Sequence, residues 1–517
     1  MNKKIDQEIQ ILINKYKYGK FLEVLKRCSL LVKKHPKNDF LWNLTGLCFQ
    51  RVKKNESAIT SFQNAINANS KNYAAQNNLA ISLKSIRKYD EAEDILINLL
   101  KLNPNYVNAL VSLANLKNDT YFFDEAIINY EKALKIQSDL PQLYVNISNI
   151  LQIQNKMEEA KEFLLKALKI KKHFTRADEL LSRLYNYSND ESKKHLSEMI
   201  DKLDANLNDD DKICLHFSLG KAYEDKKDYE KSFKHLEIGN GLKVKKNKSS
   251  IKFYKQKAKD LKNFFSNFDF SKIDKKRDDG KKIFILGLPR SGTTLLERII
   301  SSHNKVGSVS EIGFFYEEIS KNIFDDQIIS EDKINDFIQL NLNKKYKEVL
   351  NSFNIKDEII IDKTLLNFWY VGFLMIFFPN SRIIHSTRNP RDNCLSIYKN
   401  LFPTNEKWPF DQEEMGEYYL IYKDLMDFWN TLFKDKIYNS KYEDLVNDKE
   451  KYTRDIIKFC NLEWDDKCLN HHKNNNPIRT LSMNQANKEI YKTSINSSKF
   501  YEDKLQKLYK ILDKSNY

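Results

Sequence analysis

The chain has 517 residues, 41% of them hydrophobic and 12% aromatic, with a formal net charge of +15. That length implies roughly two to four domains with sizeable cores, and the basic balance fits anionic partners such as nucleotides or acidic substrates. No run of about 18 apolar residues occurs, so no membrane span is expected. The opening stretch, MNKKIDQEIQILINKYK, mixes charges into its apolar pattern and has no small-residue cleavage site. It argues against a signal peptide, and a cytoplasmic location is expected. The six cysteines are scattered without a C-x-x-C pair and read as reduced, buried thiols. Cys460, Cys468, His471 and His472 lack the short, repeated spacing of a zinc site, so no metal is expected.

The first half has almost no strand pattern but repeats itself at a period of about 34 residues. Trp42, Gly46, Phe49, Ala58, Phe62 and Ala65 are echoed by Ala80, Leu83, Ala92, Leu96 and Leu99. Two further echoes follow, through Ala114, Lys117, Ala126, Tyr130 and Ala133, then Ser148, Leu151, Ala160, Leu164 and Ala167. Small residues recur where two helices must approach closely, and large apolar ones where the next pair stacks. The breaks KKNES, IRKYD and NKMEE fall between. The pattern resembles the tetratricopeptide repeat family over about Asp39 to Phe174, with a degenerate unit before it and a later one from Leu219 to Gly239. The resemblance implies an all-α superhelix over residues 1–241, whose concave face binds a protein or peptide partner or serves only as a scaffold.

Residues 242–280 are a charged connector. Ile251, Tyr254, Leu261, Phe264 and Phe265 keep a helical period, and Asp274–Lys282 reads as a linker. The basic run lacks the interleaved glycine and aromatic residues of RNA modules, so nucleic acid is not expected.

From Lys281 the character changes. Short β-rich runs at Ile283–Gly287, Glu358–Ile361, Arg382–Ser386 and Ile437–Tyr438 alternate with helical stretches, which predicts a central parallel sheet covered by helices. Its ligand should lie at the carboxyl ends of the strands. The first run enters Gly287-Leu288-Pro289-Arg290-Ser291-Gly292-Thr293-Thr294 and then a new helical period. A loop feeding a helix N-terminus presents free N–H groups and suits phosphate or sulfate. The glycine spacing fits a nucleotide-triphosphatase loop, but Thr293 stands where that loop has lysine, which argues against a triphosphate donor.

PRSGTT after a strand resembles the 5′-phosphosulfate loop of sulfotransferases, the repeat-fused and protein-tyrosine branches above all. The resemblance covers about Lys281 to Tyr501 and implies a P-loop-like α/β domain over 281–517 that uses 3′-phosphoadenosine 5′-phosphosulfate (PAPS). It implies donor contacts from Arg290, Ser291, Gly292, Thr293 and Thr294. Arg388 and Ser396, in RIIHSTRNPRDNCLSIY, would hold the 3′-phosphate, Tyr442 would lie near the adenosine, and Ser482 and Lys499 would belong to a late donor-binding loop. Glu311 matches the family's base, and Lys363 with Arg290 would neutralise charge on the reacting oxygens. His303 and His385 are the rival bases, and His385, within a buried strand, reads as structural.

The expectation is a metal-independent enzyme moving a sulfuryl group from PAPS to a hydroxyl. A protein tyrosine is favoured as acceptor, and a saccharide or lipid head group stays open. The alternatives are a non-catalytic repeat scaffold with a nucleotide-binding domain, and a P-loop kinase.

Overall fold

The computed structural model describes residues 3–278, 281–324, 331–353, 355, 357–474, 489–490, 492 and 494–514. Two compact units make up the chain: Met1–Leu143 with Glu348–Asn354, and Tyr144–Lys347 with Ile355–Tyr517. No helix of the described residues is long and apolar enough to cross a membrane.

The first unit is built of helices, among them Asp39–Arg51, Asn55–Ala68, Tyr73–Ser85, Tyr89–Leu102, Val107–Asp119 and Phe123–Ile136. The recurrent small residues Ala58, Ala80, Ala92 and Ala114 are buried, and Phe62, Leu96 and Tyr130 fill the space between helices. Each pair turns over one left-handed residue: Lys53, Arg87 and Tyr121 have φ of 58°, 64° and 68°. After each, the next N–H reaches back over the helix end, Lys54 to the Phe49 carbonyl at 2.9 Å, Lys88 to Leu83 at 3.0 Å and Phe122 to Lys117 at 2.8 Å. That is the six-to-one closure of a Schellman motif, which offsets the cost of a left-handed residue other than glycine. Lys117, which breaks the apolar pattern, is buried because Glu93 and Glu125 meet its ammonium at 2.6 and 3.0 Å.

The second unit continues the repeat turn at Asn155 and Lys227, with φ of 62° and 59°. Between them, the irregular Thr175–Leu184 and Lys193–Leu203 helices are joined by polar contacts. Asp178, wholly buried, takes Lys202 Nζ at 2.7 Å and faces His195 Nε2 at 3.1 Å, while His195 Nδ1 meets the Tyr187 hydroxyl at 2.7 Å. The regular pairing then resumes with helices Asp209–Asp225 and Tyr229–Lys246.

The connector helix, Ile251–Ser266, is less of a solvated face than its charges suggest. Lys257 is buried, donates to the Tyr370 hydroxyl at 2.7 Å, and lies 4.5 Å from the Phe324 ring centre and 4.7 Å from that of Trp369. Burial pushes its ammonium down to about 7; the aromatic faces act in the opposite sense by attracting the cation.

Among the described residues five parallel strands follow: β1 (Lys282–Gly287), β2 (Val306–Ser308), β3 (Ile359–Asp362), β4 (Arg382–Thr387) and β5 (Ile437–Lys441), in the order β2-β3-β1-β4-β5. Alternation sends Ile283 and Ile285 of β1 into one core, with Leu296, Ile299, Ile384, Ile456 and Cys460. Phe284 points the other way, its ring 5.9 Å from Phe315 and 5.7 Å from Phe378. The chain leaves β1 towards β3 and β2 and leaves β4 towards β5, so the order reverses between β1 and β4. In a parallel sheet that reversal opens the ligand crevice at the strand ends.

Candidate functional site

The loop after β1 lies at that reversal. It enters the Thr293–Ile300 helix through Gly292, whose φ is 108°. A Cβ there would stand 2.8 Å from Tyr442 Cδ2. Arg290 also takes a positive φ, 68°, a strained conformation of the kind that collects at binding loops. Hydrogen bonds tie the loop to β4 and the stretch beyond it. Ser386 Oγ donates to the Ser291 carbonyl at 2.9 Å, Asn393 Nδ2 to Pro289 at 2.8 Å, and Arg388 Nη1 to Arg290 at 3.1 Å. Ser291, Thr293 and Thr294 are buried at the head of the helix.

Arg290 and Ser396, far apart in sequence, are brought together: Arg290 Nε donates to Ser396 Oγ at 3.1 Å. Arg388 lies over the Tyr442 ring, 4.9 Å from its centre, and its Nε is buried with no hydrogen-bond partner among the described residues. Pairwise contacts thus link Arg290, Arg388, Ser396 and Tyr442, drawn from three separate stretches of the chain.

Ser494 completes this group and was not foreseen. Its carbonyl accepts from Arg388 Nη2 at 2.6 Å, and its Oγ meets the Tyr442 hydroxyl at 2.8 Å. Asp392, buried on the Pro390–Tyr398 helix, fixes the same tail by accepting from the Asn496 and Ser498 N–H groups at 2.6 and 2.8 Å. The tail then packs on the last repeat helix: Phe500 stacks on Tyr229 at 4.6 Å, and the Tyr501 and Ser232 hydroxyls lie 3.1 Å apart. Lys499 is exposed, its ammonium 5.1 Å from the Phe500 ring centre. Ser482 lies outside the described residues. The pattern in the sequence that could have marked Ser494 is weak, since one serine among several in TSINSS carries no positional signal.

A second cluster lies at the end of β3. Lys363 is wholly buried and donates to Glu311 Oε1 at 2.7 Å; the Glu311 side chain is 41% exposed. Burial opposes the Lys363 charge, but the Glu297 and Glu311 carboxylates overcome it and hold the ammonium above its usual range. Asp362 points elsewhere, accepting from the Tyr346 hydroxyl at 3.0 Å and the Thr364 N–H at 3.0 Å. Glu297, on the loop's own helix, was not foreseen because an acid among TTLLERII reads as a solvated helix position.

The rival bases are tied up. His303 Nε2 faces the Glu463 carbonyl at 3.0 Å. His385, on β4, meets Asn439 Oδ1 at 2.7 Å and the Tyr422 hydroxyl at 2.5 Å, and burial pushes it down to about 4. In the unfolded chain a histidine takes its proton at about 6.5. Neutral His385 therefore supports the fold fully above about pH 6.5, and that support, on the order of 3 kcal/mol, is lost as pH falls towards 4. His385→Asn should flatten the acid side of the thermal-midpoint curve between pH 6.5 and 4; parallel curves for both proteins would refute the assignment.

Residues 282–466 match the model of the sulfotransferase family, and residues 141–174 a tetratricopeptide repeat model. An uncharacterised protein of Aquifex aeolicus is 30% identical over 244 residues, 45% of this chain and 32% of that one. Protein-tyrosine sulfotransferase 1 of Danio rerio is 25% identical over 215 residues, 37% of this chain and 56% of that one. Protein O-mannosyl-transferase TMTC3 of Homo sapiens is 27% identical over 154 residues, 27% of this chain and 17% of that one. The chain thus spans less than a third of the length of the first curated relatives it matches. The chain carries a sulfotransferase-family domain together with tetratricopeptide repeats.

Proposed function

We propose that the chain transfers a sulfuryl group from PAPS to a hydroxyl acceptor, a protein tyrosine foremost, with the repeats binding the acceptor or a partner protein. The observation that carries this reading is the convergence of Arg290, Arg388 and Ser396 beside a lysine-free anion loop, with Arg388 Nε buried and unpartnered among the described residues. Arg388 and Ser396 would hold the 3′-phosphate. A planar guanidinium fork and a hydroxyl suit a phosphate. The Ser291–Thr294 turn would hold the 5′-phosphosulfate at the helix N-terminus. Tyr442 offers a ring for the adenosine side, and the roles of Ser482 and Lys499 belong to the same tail.

The chemistry follows from the second cluster. Glu311 takes the acceptor's hydroxyl proton as the acceptor oxygen bonds to sulfur. The bond from sulfur to the bridging phosphate oxygen breaks, and its electron pair leaves with 3′-phosphoadenosine 5′-phosphate (PAP). Lys363 and Arg290 neutralise charge on the sulfuryl and bridging oxygens. No metal is needed for this step. The likeness to a tyrosine sulfotransferase over 37% of the chain favours a phenolic acceptor.

The test is thermal stabilisation of the full chain. PAP should raise the unfolding midpoint and ATP should not; the reverse order would overturn the donor assignment in favour of a kinase. Arg388→Ala should raise the PAP dissociation constant by about a hundredfold, the loss of two charge-assisted hydrogen bonds, as read by calorimetric titration.

A further inference from the structure

The helix that opens with the anion loop carries a carboxylate to which no motif gives a role. Glu297 lies one turn in and is wholly buried. Its Oε1 accepts the Ser308 and Ser310 hydroxyls, each at 2.6 Å. Its Oε2 faces Lys363 Nζ at 3.3 Å, an ammonium as buried as itself. The other partner of that ammonium is Glu311. Two charges so far from water persist only when paired, and loss of one partner is severe.

Glu297 also holds the backbone that leads to the base. Ser310 immediately precedes Glu311, takes φ of 49°, and accepts the Lys363 N–H on its carbonyl at 2.9 Å. One buried carboxylate therefore fixes the ammonium from one side and the turn that presents Glu311 from the other. Glu311, partly exposed, is the member of the three that an acceptor can reach.

We infer that Glu297 is a positioning residue for sulfuryl transfer: it anchors Lys363 and the Ser308–Ser310 turn, and stays as the lysine's counter-ion when Glu311 becomes protonated. The inference rests on the reaction proposed above. With Glu297 present the buried ammonium is shared between two carboxylates, which hold its proton. Without it, Lys363 is held by Glu311 alone. The ammonium then gives up its proton more readily, most of all once Glu311 is neutral. That change moves the working pH range towards acid.

The experiment uses the full chain, labelled PAPS and 4-nitrophenol as the probe acceptor, with PAP stabilisation measured alongside. Glu297→Gln should keep its stabilisation by PAP and transfer roughly 10²-fold more slowly, the scale of a misplaced catalytic group. Its pH profile should shift by about one unit to acid. Glu297→Asp, which keeps the charge on a shorter stem, should be slowed less and keep the original profile. Transfer by Glu297→Gln within threefold of the unmutated chain, or an unshifted profile, would overturn the inference. Should Glu297→Gln fail to fold, Glu297→Asp decides: an acid-shifted profile in that charged variant would overturn it. Failure of the donor reading shows elsewhere, as an unmutated chain that PAP does not stabilise, and that result removes both.

Discussion

Lys363→Ala is expected to lower turnover by roughly 10²- to 10³-fold, the range for removing one electrostatic group from a transfer site. It is also expected to lower the unfolding midpoint. Lys363 is wholly buried between Glu297 at 3.3 Å and Glu311 at 2.7 Å. Glu311 is open to solvent and can lose its partner cheaply. Glu297 cannot, and an unpaired buried carboxylate costs about 3–5 kcal/mol. The double variant Lys363→Met with Glu297→Gln should recover much of the stability and none of the turnover. That separation is the measurement of interest, because packing damage alone would lower both together. Turnover retained within threefold in Lys363→Ala would remove the lysine from the reaction.

Gly292→Ala is the second change with a large effect, and it acts on binding. The residue sits at φ 108°, where a side chain is strained by about 1–3 kcal/mol. Its Cβ would stand 2.8 Å from Tyr442 Cδ2, so the ring must move. That ring is the platform under Arg388 and the partner of Ser494. Stabilisation by PAP should therefore vanish while the unliganded protein unfolds within a few degrees of the original. Gly287→Ala makes the contrast: its Cβ would meet the Ser386 carbonyl oxygen at 2.5 Å, backbone against backbone inside the sheet. That variant should lose the fold. A Gly292→Ala protein that still gains stability from PAP would show that the loop does not hold the donor.

The parts of this molecule legible in the sequence are those with a period or a turn. The repeats announced themselves through Ala58, Ala92, Ala126 and Ala160, because helix pairs tolerate only small residues at those approaches. Four of the five strands were visible as apolar runs. β2, Val306–Ser308, was not, being too short for alternation to register. The strand, turn and helix around Gly287–Thr294 were legible because a glycine turn between an apolar run and a helical period has a local signature, whereas Arg388 and Ser396 were picked out by the family resemblance alone. Charges misled where burial was decided by distant partners. Lys117 is explained by Glu93 and Glu125, and Lys257 by Tyr370 and the rings around it, and neither pairing has a local signature. Glu297 belongs with them, since its partners Ser308, Ser310 and Lys363 lie on two later stretches.

The tail from Ser494 to Tyr501 touches Arg388 and Tyr442 at one end and Tyr229 and Ser232 of the last repeat helix at the other. Modularity in the gene is therefore not modularity in the folded chain. A fragment cut at the start of β1 would keep Arg388, Tyr442 and Ser494 yet lose Tyr229 and Ser232, the wall that seats the tail whose carbonyl meets Arg388. The last repeat helix frames the surroundings of Arg388 as the sheet does, and the two would have to be transplanted together.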